Sequence, residues 1–434
     1  MLRGCILSCR FAATLVLGAL LTMRAAVAQE QGSAGWPQWG GPLRNFTSPA
    51  SGLADSWPET GPRQLWSRAL GEGYSAIVVD RDNVYTMYRV PARFWQLTRF
   101  DQEVIVAMDA RTGKTVWEDG YDAPLESGMN MEHGPGPHAT PLISGNRLFT
   151  VGVTGKFYCK DKASGKTLWY HDLIKEYQAP VRDRGYACSP IAHKQLVILP
   201  VGGSGQSVMA FYQKDGSVAW RRHDFETSPS SPLLINVDGQ DQLVVFLGNA
   251  IAGMNPENGD LLWSHPHKTD WGLNISLPVW GDGNLLFVTS AYSGGSRMLR
   301  LSQEAGKTTV EEVWFNNRMR VHIGNTVRVG DSIYGSSGDF GPAFFCAVDV
   351  HTGKIAWQDR GLSKTSFLYA DGKFYLVDED GNVAVARPTP SGLQVRSKVG
   401  LLSSNAWTAP SLAGTTLYLR DRKNVLALDV GVPR

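Results

Sequence analysis

Polar and aromatic side chains are concentrated in a few long connections of this sequence. A chemical site would need acids, imidazoles or guanidinium groups that converge, because such groups transfer protons, bind metals or hold anions. Long connections on a rigid scaffold are also where binding residues concentrate. The residues that we predict to form a ligand site are Glu132, His133, His138, Arg184, Tyr186, Asn274, His322, Asn325 and Trp407.

Metal ligation is not indicated by the spacing of these residues. His133 lies five residues before His138, and the pair His265 and His267 is two apart, so neither pair fits a zinc signature. The stretch "DEDGN" at 378–382 is similar to a calcium loop but lacks the downstream bidentate glutamate, so it is interpreted as a hairpin turn. No metal site is predicted, and no catalytic residue is assigned.

The first 28 residues have the features of a secretory signal peptide. Arg3 and Arg10 precede an apolar run, and small residues at Ala26 and Ala28 form a cleavage site. Neither early cysteine follows that run, so a lipobox is not expected, and no later segment is apolar enough to span a membrane. The sequence therefore predicts a periplasmic or secreted protein.

Charge and cysteine content exclude several functional classes. The chain has 42 basic and 40 acidic residues, and loss of the three arginines in the signal segment leaves a near-neutral balance. Nucleic acid and anionic membrane surfaces are therefore not expected as partners. Cys159, Cys188 and Cys346 would remain, which leaves open three buried thiols or one disulfide with a free thiol.

A short motif, "VAMDARTGKTVW" at 106–117, recurs along the chain at intervals of about 40 to 50 residues, the size of a β-propeller blade. Its acid can accept turn N–H groups, its glycine can adopt a positive φ, and its tryptophan can fill the wedge between blades. A catalytic group is not needed in every copy, so the motif is interpreted as structural. Its predicted members are Asp109, Gly113, Trp117, Asp161, Gly165, Trp169, Trp220, Trp263, Trp314, Asp349, Gly353, Trp357 and Trp66.

The repeat predicts an all-β fold, an eight-bladed propeller of four-stranded antiparallel blades. The strand around Trp66 has no blade before it, and the last blade, which begins near Trp407, lacks its tryptophan strand. We therefore expect the N- and C-terminal strands to pair and close the ring, which removes exposed sheet edges. The expected organisation is a signal peptide at 1–28, an extended segment at 29–62 and one monomeric propeller domain at 63–434.

The units resemble the pyrroloquinoline-quinone (PQQ)-like repeat, which is shared by quinoprotein alcohol dehydrogenases and BamB-type outer-membrane assembly proteins. The stretch "WPQWGGPLRN" at 36–45 is similar to the start of exported bacterial members, with Gly40 in place of an arginine and Asn45–Phe46 in place of Asp-Gly. The resemblance covers nearly all of the chain after the signal segment. It is specific for fold and weak for function, because the repeat is scaffold.

The resemblance implies two functions. The first is a non-catalytic BamB-like scaffold without a cofactor, which binds a protein or peptide, with outer-membrane or envelope proteins as candidate partners. The alternative is a PQQ-dependent oxidoreductase of an alcohol or sugar, with PQQ and Ca²⁺ in the channel. The chain has no adjacent cysteine pair and no haem-attachment motif. A tryptophan floor beside a carboxylate–amide cluster would favour the enzyme, and a shallow mixed surface would favour the scaffold.

Overall fold

Short β strands joined by tight turns form this molecule, and they assemble into eight antiparallel sheets. The structure, a computed structural model, describes residues 35–92 and 101–433. The predicted signal peptide and residues 29–34 lie outside the described residues. No helix in the described part of the chain is long and apolar enough to cross a membrane.

Three strands precede the first blade, and the first four blades follow. Residues before the first blade form β1 (Gly35–Trp36), β2 (Thr47–Ser48) and β3 (Arg63–Ala69). Blade 1 is β4 (Val78–Asp80), β5 (Asn83–Val90), β6 (Gln102–Asp109) and β7 (Thr115–Asp122), and blade 2 is β8 (Leu142–Ser144), β9 (Arg147–Val151), β10 (Lys156–Asp161) and β11 (Thr167–Asp172), followed by the short helix α1 (Leu173–Tyr177). Blade 3 is β12 (Ile191–His193), β13 (Leu196–Pro200), β14 (Val208–Tyr212) and β15 (Val218–Arg222), and blade 4 is β16 (Leu233–Val237), β17 (Gln240–Phe246), β18 (Ala250–Met254) and β19 (Leu261–Pro266).

The remaining four blades repeat the same strand order. Blade 5 is β20 (Val279–Gly281), β21 (Leu285–Ser290), β22 (Gly295–Glu304) and β23 (Lys307–Asn316), and blade 6 is β24 (Val321–Val329), β25 (Ser332–Ser337), β26 (Phe344–Asp349) and β27 (Ile355–Asp359). Blade 7 is β28 (Thr365–Ala370), β29 (Lys373–Asp378), β30 (Asn382–Thr389) and β31 (Gly392–Gly400), and blade 8 is β32 (Ser411–Ala413), β33 (Thr416–Arg420), β34 (Asn424–Asp429) and the N-terminal β3.

The two ends of the chain close the ring, as predicted from the repeat. β3 pairs antiparallel with β34, so that Trp66 lies opposite Ala427, and Arg63 forms an ion pair of 2.7 Å with Asp429. The buried guanidinium of Arg420 then joins blade 8 to blade 1, since it donates to the carbonyl oxygen of Ser75 at 2.8 Å. The predicted eight-bladed fold is confirmed.

The repeated motif forms the contact between neighbouring blades. In blade 1, Asp109 Oδ1 accepts from the backbone N–H of Thr112 at 2.9 Å, and Gly113 has a φ of +69°. The indole Nε1 of Trp66, from blade 8, donates to the carbonyl oxygen of Ala110 at 2.8 Å. Corresponding indole-to-carbonyl bonds into the next blade are made by Trp117, Trp169, Trp220, Trp314 and Trp357.

Blade 4 departs from this rule because the next outer hairpin is longer. The indole Nε1 of Trp263 donates to Gln242 Oε1 of its own blade at 2.7 Å. The amide of Gln242 in turn donates to Thr308 Oγ1 of blade 5 at 2.7 Å. The contact from blade 4 to blade 5 is thus relayed by a buried glutamine.

Blade 7 has no tryptophan of its own, and the N-terminal segment supplies one. Ser397 lies opposite Val385, in the position that tryptophan holds in other blades. The preceding residue, Arg396, falls at a register shift and does not hold that position. Ser397 Oγ accepts from the backbone N–H of Trp57 at 2.8 Å, and the buried indole of Trp57 packs on Tyr375 with ring centroids 6.2 Å apart. The segment before the propeller therefore completes blade 7.

Residues 35–48 cross the centre of the ring. β1 pairs with the inner strand of blade 1, and β2 pairs in parallel with the inner strand of blade 7. Between them, the buried side chain of Arg44 donates to the carbonyl oxygens of Ser189 at 2.8 Å and Pro190 at 3.1 Å. Residues 35–48 are therefore packed into the propeller.

Candidate functional site

One residue from every blade surrounds a cavity of about 250 Å³ at the centre of the ring. In blade 2, Leu142 of the inner strand lies opposite Phe149 of the second strand, and His138 lies four residues before Leu142. The other ring residues lie four residues before the inner-strand residue of their own blade that is equivalent to Leu142. The equivalence follows from the repeat, because each inner strand begins at the same face of the propeller. From blade 1 to blade 8, the eight ring residues are Tyr74, His138, Ala187, Pro229, Ile275, Ile323, Lys364 and Trp407.

The ring is chemically divided into two halves. The residues from blades 3 to 6 are Ala187, Pro229, Ile275 and Ile323, all of them apolar. The residues from blades 7, 8, 1 and 2 are polar, charged or aromatic. Neighbouring connections add Trp39, His133, Gly134, Arg184, Ser189, Ser231, Leu273, Tyr292, His322 and Thr408 to the wall.

Three consecutive ring residues form an aromatic stack. The ring of Tyr74 lies 5.5 Å from that of Trp407 and 5.8 Å from that of His138, at interplanar angles of 26° and 12°. The hydroxyl of Tyr74 donates to the carbonyl oxygen of His133 at 2.8 Å. The indole of Trp407 donates to Glu379 Oε2 at 3.2 Å, so hydrogen bonds anchor the middle ring and one end of the stack.

A second aromatic group lies at the rim of the cavity. The hydroxyl of Tyr292 is hydrogen-bonded to Nε2 of His322, and their rings are 5.0 Å apart. Tyr292 also contacts Trp271 and Phe340, with centroids at 4.8 Å and 5.4 Å. Trp271 is 58% exposed and Phe340 is 78% exposed, so this group continues from the cavity wall to the open surface.

The charged groups of the wall are cationic. Arg184 and Lys364 line the cavity, and no carboxylate does so among the residues that the structure describes. Arg184 forms ion pairs with two exposed acids outside the wall, Asp183 at 3.1 Å and Glu132 at 3.8 Å. No ion pair or hydrogen bond to the ammonium of Lys364 is formed by residues 35–92 or 101–433, and its charge acts on His322.

Burial keeps two of the wall histidines neutral. It lowers the pKa of His138 to about 4, with further lowering by the charges of Arg184 and His133. The pKa of His322 is likewise lowered to about 4 by burial and by Lys364. Burial also raises the pKa of Tyr292. At neutral pH the cavity thus combines two cations with uncharged imidazole and phenol groups.

Five of the nine sequence-predicted ligand residues line the cavity, namely His133, His138, Arg184, His322 and Trp407. Glu132 lies beside it through Arg184. The buried Tyr186 instead donates to the carbonyl oxygen of Val201 at 3.0 Å. The amides of Asn274 and Asn325 donate to the carbonyl oxygens of Leu247 and Phe367, so these side chains join blades and do not line the wall.

The misplaced residues differ from the ring position by one or two residues. Tyr186 directly precedes Ala187, Asn274 precedes Ile275, and Asn325 follows Ile323 by two. Sequence reasoning missed Tyr74 and Lys364, although both hold the ring position. Counting back four residues from the inner-strand residue equivalent to Leu142 would have found both. Tyr292 and Trp39 carry no repeat signal.

The cavity does not fit the calcium of a PQQ–calcium pair. Calcium takes oxygen ligands, with carboxylates foremost, and the wall presents Arg184 and Lys364 instead. Within the described residues, no group of three or more His, Cys, Asp or Glu side chains could hold a metal ion. Cys159, Cys188 and Cys346 are buried free thiols far apart in sequence, so they provide no pair of adjacent bridged cysteines.

Comparison with known proteins identifies relatives of this chain. The sequence profile described as outer membrane protein assembly factor BamB matches residues 101–359. BamB of Yersinia pestis is 24% identical over 369 residues, which are 84% of this chain and 77% of that protein. The crystal structure of BamB from Moraxella catarrhalis has a TM-score of 0.58 at 14% identity and covers 85% of this chain and 99% of its own.

A quinohemoprotein alcohol dehydrogenase, ADHIIG of Pseudomonas putida HK5, is also similar in structure. It has a TM-score of 0.65 at 13% identity and covers 94% of this chain and 82% of its own. At such identities the likeness to both solved structures establishes the fold alone.

Proposed function

Because this chain belongs to the family of the outer membrane protein assembly factor BamB, we propose that it is an exported, non-catalytic binding platform. Its partner is a protein of the cell envelope, which docks on the face that bears the axial cavity. The predicted signal peptide and the near-neutral charge support a periplasmic location and a protein partner. The name of the Yersinia pestis relative, an assembly factor, supports a role in assembly.

The aromatic group of Trp271, Phe340 and Tyr292 carries this proposal, and its first two members are exposed. Large aromatic side chains are enriched at the energetic centres of protein interfaces, because they bury much apolar area at low entropic cost. Here they stand at the rim of a cavity and pack on one another at 4.8–5.9 Å. Exposed aromatic side chains that adjoin one another at the rim of a cavity are typical of a docking surface.

A non-catalytic role is supported by the chemistry of the wall. General acid–base catalysis needs a group that titrates near the working pH. Two of the three wall histidines, His138 and His322, have pKa values of about 4, and the described wall has no carboxylate that could act together with the third, His133. The PQQ-dependent alternative lacks the carboxylate ligands that its calcium would need in the described wall.

Photocrosslinking in the source organism tests the proposal. Trp271 is replaced with the photoreactive p-benzoylphenylalanine, and the matched control places it at Val116, which is 49% exposed on the outer strand β7. We expect an adduct with an outer-membrane or periplasmic protein from position 271 alone. Adducts of equal yield from both positions, or none from position 271, would refute the proposed docking face.

A further inference from the structure

We infer that the axial cavity binds a carboxylate group attached to an aromatic or branched aliphatic body. Two sources carry that chemistry, the C-terminal residue of a peptide chain and a free small carboxylic acid. The inference rests on the proposed function, since it names the ligand chemistry of the same face.

The charge of the wall selects an anion. Arg184 and Lys364 line the cavity without a carboxylate in the described wall. Arg44 lies behind it, buried, and donates to the carbonyl oxygens of Ser189 and Pro190, of which Ser189 is a wall residue. A buried guanidinium without a carboxylate partner adds positive potential in a region of low dielectric constant.

Nearby acids reduce this potential, but none of them belongs to the described wall. Asp183 and Glu132 pair with Arg184, and both are more than half exposed. Glu379 accepts from the indole of Trp407 outside the wall. None of these acids pairs with Lys364, whose ammonium is therefore available to a ligand.

The wall also presents a hydrogen-bonding group that lacks a partner. Nδ1 of His322 is buried and has no hydrogen-bond partner in the described chain. In the tautomer in which Nε2 accepts the proton of Tyr292, Nδ1 carries a hydrogen that a carboxylate oxygen can accept. The hydrogen on Nδ1 is therefore free to bond a ligand acceptor that reaches it.

The body of the ligand follows from the two halves of the ring. The stacked rings of Trp407, Tyr74 and His138 offer an aromatic surface, and Ile275 and Ile323 offer an aliphatic one opposite. A volume of about 250 Å³ is just below the range of drug-sized pockets, so it suits one or two residues of a peptide. An aromatic cage could also attract an organic cation, but Lys364 and Arg184 would repel it.

Titration calorimetry with two matched probes tests the carboxylate. N-acetyl-L-phenylalanine has the aromatic body and a free carboxylate, and N-acetyl-L-phenylalaninamide has the same body without the charge. We expect the acid to bind about tenfold or more tightly than the amide, which corresponds to about 1.4 kcal/mol. Equal binding of both probes, or no binding of the acid at 10-fold molar excess over a protein concentration on the order of 1 mM, would overturn the inference.

A variant of Lys364 tests whether the acid probe binds in this cavity. Lys364→Met should weaken the acid about tenfold and leave the amide unchanged. Lys354→Met is the matched control, because Lys354 is an exposed lysine of a blade turn outside the wall. Equal thermal unfolding temperatures of both variants establish that they are folded, and an unchanged affinity of Lys364→Met for the acid would contradict the inference.

Two peptides then test whether the bound carboxylate belongs to a peptide C-terminus or to a free small acid. A hexapeptide ending in phenylalanine is compared with its C-terminal amide. Binding of the free-acid peptide alone identifies a chain terminus, and binding of only N-acetyl-L-phenylalanine identifies a small acid. If photocrosslinking at position 271 succeeds while no carboxylate probe binds, the inference fails and the proposed function stands.

Discussion

Gly165 lies directly beneath the indole ring of Trp117 from the preceding blade, so closely that an added Cβ would stand 2.6 Å from Cδ2 of the ring. The same contact joins Gly113 to Trp66 and Gly353 to Trp314. The glycine of the repeat thus has two functions. It provides the positive φ of the turn, and it leaves room for the tryptophan that joins the preceding blade to its own.

Two glycines with the same backbone conformation separate these functions. Gly165 and Gly145 have φ values of +74° and +59°, but nothing lies within 4 Å of a Cβ added to Gly145. Gly145→Ala should therefore cost only backbone strain, about 1 kcal/mol of unfolding free energy. Gly165→Ala should cost about 1–3 kcal/mol more, because the indole must move. Urea unfolding measures both values, and equal losses would contradict the packing role of Gly165.

The repeat carried enough information to predict the ring but not all of its contacts. The tryptophan strand of Trp66, without a blade before it, predicted the closure that β3 and β34 make. Nothing in the spacing indicated that Trp57 would fill blade 7, because that tryptophan lies outside any copy of the motif. A long-range packing partner of this kind leaves no periodic signal.

A second prediction concerns Arg44, in the segment that crosses the ring, and its contribution to stability. Arg44→Met would leave the carbonyl oxygens of Ser189 and Pro190 without their donor in a buried place. The expected loss is about 2–4 kcal/mol, since each unsatisfied buried acceptor costs about 1–3 kcal/mol. Arg63→Met is the matched control, because the side chain of Arg63 is 73% exposed and its ion pair with Asp429 is worth less than about 1 kcal/mol. Similar unfolding temperatures for the two variants would show that Arg44 is not needed.

The candidate site was only partly predictable because the ring position is set by register. Successive side chains of an extended segment point to opposite sides, so a residue next to the ring position can leave the cavity wall, although His322 and Thr408 do not. His138 and Trp407 hold the ring position, whereas Tyr186 and Asn274 are one residue away and bond to backbone carbonyls. A choice based on polarity alone favours such residues, because buried polar groups that bond to the backbone have the same residue types as a binding site.

Stability should decrease in mild acid because of the wall histidines. Burial lowers the pKa of both His138 and His322 from 6.5 to about 4. The unfolded chain therefore binds more protons than the folded one between these values, and the free energy of unfolding falls as pH falls from 6.5 towards 4. Above pH 6.5 this contribution is fully present.

A variant assigns part of this pH dependence to one residue. His138→Phe retains a ring beside Tyr74 and removes the titrating group, so its stability should decline less steeply over the same interval. Urea unfolding at pH 8, 6.5 and 5 measures the slope. An identical slope in the variant would mean that His138 does not contribute.

Calcium should have no effect on this protein, in contrast to an enzyme that holds PQQ through a metal. The wall offers the cations Arg184 and Lys364 where calcium needs carboxylates. We expect no change in unfolding temperature with calcium chloride and no reduction of an artificial electron acceptor with PQQ, calcium and an alcohol. The proposed non-catalytic function would be refuted by calcium-dependent turnover.

Alanine variants of Trp57 and Trp271 should differ in their effects, the first on the stability of the ring and the second on partner binding. Trp57 is 8% exposed and fills the place of the missing blade-7 tryptophan, so Trp57→Ala should cost about 3–5 kcal/mol of unfolding free energy. Trp271 is 58% exposed, so Trp271→Ala should change stability by no more than about 0.5 kcal/mol. In photocrosslinking from a second rim position, Phe340, Trp271→Ala should nevertheless lower the yield of the partner adduct, because it removes aromatic area from the docking face. The assignment fails if Trp271→Ala leaves this yield unchanged, or if Trp57→Ala is as stable as the unaltered protein.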